Sequence, residues 1–245
     1  MNRIRLSFVF SLFVTLSPSV YAAASGVLPL FLDENNEAVA LMGKEVRHPR
    51  NGGPAYTVWG DFGGKTDQNE TSAQGALREF KEETGYSTFA HVALNQIMNA
   101  PCATSDNGYD MYFLTLQQPK PDIQTIVNNA ALARQNPNAH VEKTEWKYVK
   151  VADLMNAINS NQIRNRQAWT MPGTVDPVFY HMRNVLAKPA AKTALANFMN
   201  YAAGVRQVVH NLRQILQPAP APQPVPQPVL VPQPVVVSRS VSPLS

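Results

Sequence analysis

Cysteine is almost absent from this chain. Cys102 is the only one in 245 residues, so no internal disulfide can form and stability has to come from a packed core. Cys102 itself reads as a small core residue, with a reactive thiol or an intermolecular bridge as the alternative. Histidine is sparse as well. His48, His91, His140, His181 and His210 show no metal-ligand spacing, which excludes a zinc site of ordinary pattern. Charge of either sign is thin, with 16% charged residues and a formal net charge of +4. Without Arg3 and Arg5 the balance falls to 19 basic against 17 acidic residues. No basic cluster stands out, so nucleic acid is excluded as a partner. Long apolar runs are missing too. The stretch Leu6 to Leu16 is well short of the roughly 20 residues a spanning helix needs, and no stable membrane span is expected. Flanked by Arg3 and Arg5 before it and by Pro18 and Val20-Tyr21-Ala22 after it, that stretch reads as the apolar region of a secretory signal peptide, residues 1–22. The mature chain is then expected outside the cytoplasm, in a periplasm or secreted. The hydrophobic fraction of 44% is enough for a globular core.

What the chain does carry is concentrated between Gly64 and Tyr86, GKTDQNETSAQGALREFKEETGY. Thr71-Ser72-Ala73-Gln74 reads as a capping box, in which a hydroxyl at the N-cap and an amide three residues on satisfy free backbone donors. Gly85 reads as the residue just past the helix end, where a left-handed backbone costs least. A helix over about Ser72 to Thr84 follows, with Ala73, Ala76, Leu77, Phe80 and Thr84 on the face that packs against a sheet. Glu79, Glu82 and Glu83 cluster on an adjacent face. Like charges this close repel, and more strongly if partly buried. Arg78 lies four residues before Glu82 and can orient it, but one guanidinium does not neutralise three or four acids. A divalent cation does. Hard oxygen ligands with no His or Cys nearby favour Mg2+ or Mn2+, and the arrangement suits hydrolysis of a phosphoanhydride. A solvated acidic helix face is the plainer reading of the same residues.

The spacing decides between them. Gly64, Glu70, Arg78-Glu79, Phe80, Glu82-Glu83, Gly85 and Tyr86 fit G-x5-E-x7-R-E-U-x-E-E-x-G-U, with U a bulky apolar residue. This stretch resembles the signature of the Nudix hydrolase family at every fixed position. The resemblance implies an α/β fold, a mixed β-sheet sandwiched between α-helices, in which the signature forms a loop–helix–loop. It implies that Glu79, Glu82, Glu83 and Glu70 hold Mg2+ (or Mn2+), and that Gly63 and Gly64 help frame the metal–phosphate site. Where the family usually reads Pro-Gly-Gly, this chain has Phe62-Gly63-Gly64. An acid shortly before a Trp-containing strand is common in the family and sometimes serves as general base. Glu142 and Glu145 are the candidates here, Glu142 preferred because a loop position leaves it free to reach the site. Glu83 is the other proton acceptor considered. Pro101 stands about where family members that hydrolyse ADP-ribose have a proline. The substrate implied is a small nucleotide-type molecule, a nucleoside diphosphate linked to another moiety, with an ADP-ribose-like compound slightly favoured.

The rest of the chain reads around that motif. Gly26 to Leu32 and Glu37 to Met42 read as strands joined by a turn at Asp33 to Asn36. Gly43 to Pro54 reads as a loop, its basic residues Lys44, Arg47, His48 and Arg50 either solvated or facing substrate phosphates, with Arg47 taken as a substrate-binding candidate. Tyr56 to Lys65 reads as a short strand and a glycine turn. Phe89 to Met98, Tyr109 to Leu116 and Trp146 to Val151 read as further strands, with Asn99 to Gly108 a loop. Pro121 to Gln135 reads as a helix or an insertion, and Ala152 to Asn159 and Asp176 to Leu186 as helices. Trp59, Tyr56, Phe113 and Trp169 are aromatics for stacking a base, or simply core.

The hydrolase domain is thus expected over residues 23–187, followed by a C-terminal helix over 188–217. On that helix Leu195, Phe198, Ala202, Val205, Val209, Leu212 and Leu216 form a short heptad seam, which either packs back onto the domain or pairs two copies. Residues 218–245 are proline-rich and low in complexity, a disordered or polyproline II tail that is a spacer or a ligand for a partner. Two other functions fit the same sequence: a nucleotide-binding module of this fold without activity, and an exported interaction protein acting through its helix and tail.

Overall fold

A computed structural model describes residues 24–49, 51–137, 139–160, 170–171, 174 and 176–216. The stretch expected as a signal peptide, Arg50, Trp169 and the proline-rich tail lie outside the described residues. Among the described residues, seven strands and six helices follow in the order β1 Ala24–Leu32, β2 Ala38–Arg47, β3 Tyr56–Gly60, β4 Phe62–Lys65, α1 Ser72–Glu83, α2 Leu94–Met98, β5 Cys102–Thr104, β6 Tyr109–Thr115, α3 Ile123–Ala133, β7 Lys143–Lys150, α4 Val151–Asn159, α5 Tyr180–Leu186 and α6 Pro189–Ile215.

The strands form one mixed sheet in the order β3-β2-β1-β6-β5, with β4 also on β1 and β7 also on β2. β1 and β6 run parallel and the other pairs are antiparallel. Alternation along the central strands sends side chains to two cores. Leu28, Leu30, Ala40 and Met42 face α4, α5 and α6, packing on Leu154, Met182, Val185, Leu195 and Phe198. Val27, Phe31, Val39 and Leu41 face α1 and α3, packing on Ala76, Phe80, Ile126 and Ala130. The sheet is therefore sandwiched between helices, as the resemblance implied. None of the described helices is long and apolar enough to cross a membrane.

α1 begins where its caps place it. Thr71 Oγ1 accepts from the Gln74 amide at 3.3 Å, and the Gln74 side chain accepts from the Thr71 amide at 2.8 Å. It ends against Gly85, which sits at φ +79°.

Four expectations need correcting. The segment from Lys44 to Arg47 is strand rather than loop, because β2 continues between β3 and β7 and hydrogen-bonds both. Phe89 to Met98 is not a strand. Phe89, Val92 and Ile97 are buried at irregular spacing, and α2 starts where the Gln96 side chain accepts from the Ala93 amide at 2.9 Å. Residues 176–179 are extended beside Trp59 rather than helical, with the Trp59 amide donating to Pro177 O and the Phe179 amide to Trp59 O. The loop expected over Asn99 to Gly108 contains β5.

The heptad seam on α6 divides in two. Leu195, Phe198 and Ala202 are buried in the core, whereas Leu212 and Leu216 are exposed. The first half of the seam therefore packs back onto the domain, and its last two leucines face solvent.

Candidate active site

The acids converge where the C-terminal half of α1 packs across β1 and β4, with Glu45 of β2 alongside. Phe62, Phe80 and Phe89 brace that crossing, with ring centroids 5.7 Å (Phe62–Phe80) and 4.7 Å (Phe80–Phe89) apart. Two clusters result, each organised by one cation.

The outer cluster belongs to Arg78. Its Nε lies 3.0 Å from Glu70 Oε1, and its Nη1 lies 3.0 Å from Glu79 Oε1 and 3.2 Å from Glu82 Oε2. Nη2 donates to the Lys65 carbonyl at 2.8 Å. One guanidinium thus spans three of the four expected metal ligands. Burial raises the Glu79 pKa in spite of Arg78, with Glu82 and Glu142 adding to the rise. For Glu70 burial is again the largest influence and acts upward, but hydrogen bonds from Arg78 and the Asp67 amide together outweigh it and lower the pKa. A Cβ at Gly64 would stand 2.4 Å from Glu79 Oε1, so any larger residue there has to displace the Glu79 carboxylate.

The inner cluster belongs to Lys143. Glu83 is buried; its Oε2 accepts from the Gly63 amide at 2.9 Å, and its Oε1 lies 3.4 Å from Lys143 Nζ. The same ammonium lies 2.9 Å from Glu45 Oε2. Glu45, Glu83 and Glu142 bring carboxylate oxygens within 4.8 Å of one another, the first two buried and Glu142 exposed. Burial drives the Glu83 pKa well above the ordinary carboxylate value, against the pull of Lys143. For Lys143 burial alone would lower the pKa, but Glu83 and Glu45 outweigh it and the pKa is raised.

Behind this cluster Asp61 accepts a 2.6 Å hydrogen bond from the Tyr109 hydroxyl. Burial pushes the Asp61 pKa up from 3.8 to about 6. Folding therefore shifts this carboxyl toward its protonated form. The native state gains as pH falls through about 6, and the gain is complete below 3.8. Above that window the buried charge costs on the order of a few kcal/mol. In metal-free protein, Asp61→Asn, which keeps an acceptor for Tyr109, is expected to raise the melting temperature at neutral pH and leave it unchanged in acid. A melting curve as steep in pH as the parent's would show that folding does not raise the Asp61 pKa.

Of the sequence candidates, Glu70, Glu79, Glu82 and Arg78 meet in the outer cluster. Glu83, Glu142 and Gly63 meet in the inner one, and Gly64 borders the outer. Arg47 Nη2 lies 2.5 Å from Glu45 Oε1, at the edge of the inner cluster, and its guanidinium stacks 4.6 Å from the Phe179 ring. Trp59 needs correction as a stacking residue: it is 2% exposed, held in the core where β3 meets residues 177–179. Phe113 is likewise buried, whereas Tyr56 is exposed. Glu145 pairs with Lys44 at 2.9 Å and does not join the inner cluster. The Cys102 thiol is half-buried, and burial pushes its pKa up to about 12, so it is no reactive thiolate.

Sequence reasoning missed Glu45, Lys143, Asp61 and the aromatic run Phe179-Tyr180-His181 beside Arg47. For Glu45 a signal existed. Alternation along β2 puts it on the face of Val39 and Leu41, which is the face α1 covers.

The donor set fits a divalent metal. All the acids offer hard oxygen, no His or Cys is among them, and three cationic side chains, Arg78, Lys143 and Arg47, already sit on them.

The family model of the NUDIX domain matches residues 21–169. No curated protein matches the chain. Among solved structures, it is similar to a C. elegans Ap4A hydrolase in a binary complex, at 13% identity over 74% of this chain and 98% of that one, with a TM-score of 0.38. It is similar to a mutT/nudix family protein from Listeria innocua, at 12% identity over 82% of this chain and 99% of that one, with a TM-score of 0.35. It is also similar to a bifunctional NMN adenylyltransferase/ADP ribose pyrophosphatase from Francisella tularensis, complexed with AMP and a Mn ion. That likeness has 20% identity over 55% of this chain and 35% of that one, with a TM-score of 0.33.

Proposed function

We propose, for a chain that belongs to the Nudix hydrolase family, that it hydrolyses the diphosphate linkage of a nucleoside diphosphate joined to another moiety, with Mg2+ or Mn2+ as cofactor. The observation that carries this is the convergence of Glu70, Glu79, Glu82 and Glu83 from a loop and one helix, beside Glu45 of β2 and Glu142 just before β7.

Glu79, Glu82, Glu83 and Glu70 are the residues that would hold the ion. When bound, it supplies charge to phosphoryl oxygens and acidity to a water. The protein does the rest. The Gly63 amide fixes one oxygen of Glu83 and Lys143 fixes the other, so Glu83 is held as a ligand with both oxygens engaged. Glu142 is exposed at the mouth of the same cluster, and it is the carboxylate free to take a proton from the attacking water. Arg47, partly exposed at the edge of the same cluster, would meet a substrate phosphate. The exposed Tyr180 ring, 5.0 Å from Phe179, extends the aromatic surface next to Arg47.

Within the substrate class an ADP-ribose-like compound is the first to assay, on the sequence position of Pro101. The proline itself stands beside β5, with β6 and β1 between that edge strand and β2. The leader sequence extends the reading to an enzyme working outside the cytoplasm. The test is a panel of nucleoside diphosphate derivatives with Mg2+, Mn2+ or EDTA. The expected result is metal-dependent release of two phosphate-bearing products from at least one of them. Binding of a nucleotide with no product under any metal would instead favour the inactive binding module.

A further inference from the structure

Lys143 is the most deeply buried cation of the site. Its side chain is 2% exposed, and its ammonium lies between two buried carboxylates, 2.9 Å from Glu45 and 3.4 Å from Glu83. Around it the Phe62 ring is 6.0 Å from Nζ, Asp61 adds a further acid, and the partly exposed Arg47 pairs with the other oxygen of Glu45. The methylenes run against bare backbone at Gly43, where any Cβ would come within 2.8 Å of Lys143 Cγ and Cδ. The side chain therefore lies in a channel cut to its shape. Burying a lysine is costly in solvation, and a paired charge offsets that cost only when its geometry is good.

Arg78 differs in each respect. It is a quarter exposed and shared among three acids. A guanidinium so placed can swing toward solvent when a metal arrives. Lys143 has no such exit, because the acids, Phe62 and Gly43 enclose it.

We propose that the Lys143 ammonium is a built-in cation filling the inner position between Glu45 and Glu83. A further divalent ion would otherwise take that position. In this role Lys143 is a positioning residue. It limits the number of exchangeable metal ions in the site and holds the Glu83 carboxylate against the Gly63 amide. The inference rests on the metal-dependent reading above.

The test counts ions rather than turnover. The full chain, without substrate, is titrated with Mn2+, and bound ions per chain are read from the paramagnetic signal of free Mn2+ or by calorimetry. Lys143→Met is expected to take up one more Mn2+ per chain than the parent. Lys143→Arg, which restores the cation, and Lys143→Met/Glu45→Gln, which removes an inner acid, are expected to return to the parent count. If Lys143→Met melts early in EDTA, recovery of the parent's melting temperature on adding Mn2+ supports the proposal. Failure to fold even with Mn2+ overturns it, because a divalent ion should then replace the ammonium. An unchanged count in Lys143→Met, beside a parent that does bind Mn2+, overturns this inference alone. A parent that takes up no Mn2+ removes the metal-dependent reading, and this inference with it.

Discussion

Glu83→Gln is expected to lower metal-dependent turnover by roughly 10^3-fold, at the upper end of what removing one preorganised electrostatic contact costs. The side chain keeps its length and an oxygen acceptor, so the hydrogen bond from the Gly63 amide can persist. What disappears is one negative charge from a buried set of two acids and one ammonium. The fold should tolerate this, because Lys143 remains paired with Glu45 at 2.9 Å. The melting temperature in EDTA is expected to stay level or rise, while the stabilisation gained on adding Mg2+ shrinks. Steady-state kinetics with parallel melting curves separate these effects. Turnover within tenfold of the parent would take Glu83 out of the catalytic machinery. A collapse of the EDTA melting temperature would mean that the buried charge is structural first.

Legibility in the sequence follows the range of the interactions involved. α1 was readable because everything that forms it is local: a capping pair three residues apart, an apolar face at helical spacing, and Gly85 just past its end. The four acids of the motif were readable for the same reason, since one helix and its preceding loop carry them all. Glu45 was not, because the stretch after Met42 has the glycine and basic residues of a loop, and only pairing with β3 on one side and β7 on the other holds it extended. Lysine ordinarily marks surface, so nothing near Lys143 announced its burial. Its place is set by Glu45 and Glu83, 98 and 60 positions away. Phe89 to Met98 looked like a strand because its apolar residues are dense, yet they serve two turns and a short helix at the edge of the α1 core. Trp59 looked available to a ligand until residues 177–179, distant in sequence, closed over it.

The largest expected loss of stability comes from Phe80→Ala. Phe80 is fully buried, and its ring sits 4.7 Å from Phe89 and 5.7 Å from Phe62. Truncating a packed aromatic costs about 3–5 kcal/mol, part lost transfer and part cavity. In a domain of this size that corresponds to a drop of roughly 10 °C in melting temperature. The functional consequence is separate and follows from position. Phe80 is flanked in sequence by Arg78-Glu79 and Glu82-Glu83, so the contact that presses α1 onto β4 also fixes the height of every acid above Gly63 and Gly64. Phe80→Leu refills much of the space with an apolar side chain and should recover most of the stability. Its turnover is expected to stay below the parent's even at temperatures where both are fully folded. If Phe80→Leu instead matches the parent in turnover while Phe80→Ala loses only what unfolding explains, the acids are placed by their own cations, Arg78 and Lys143, rather than by the aromatic brace beneath the helix.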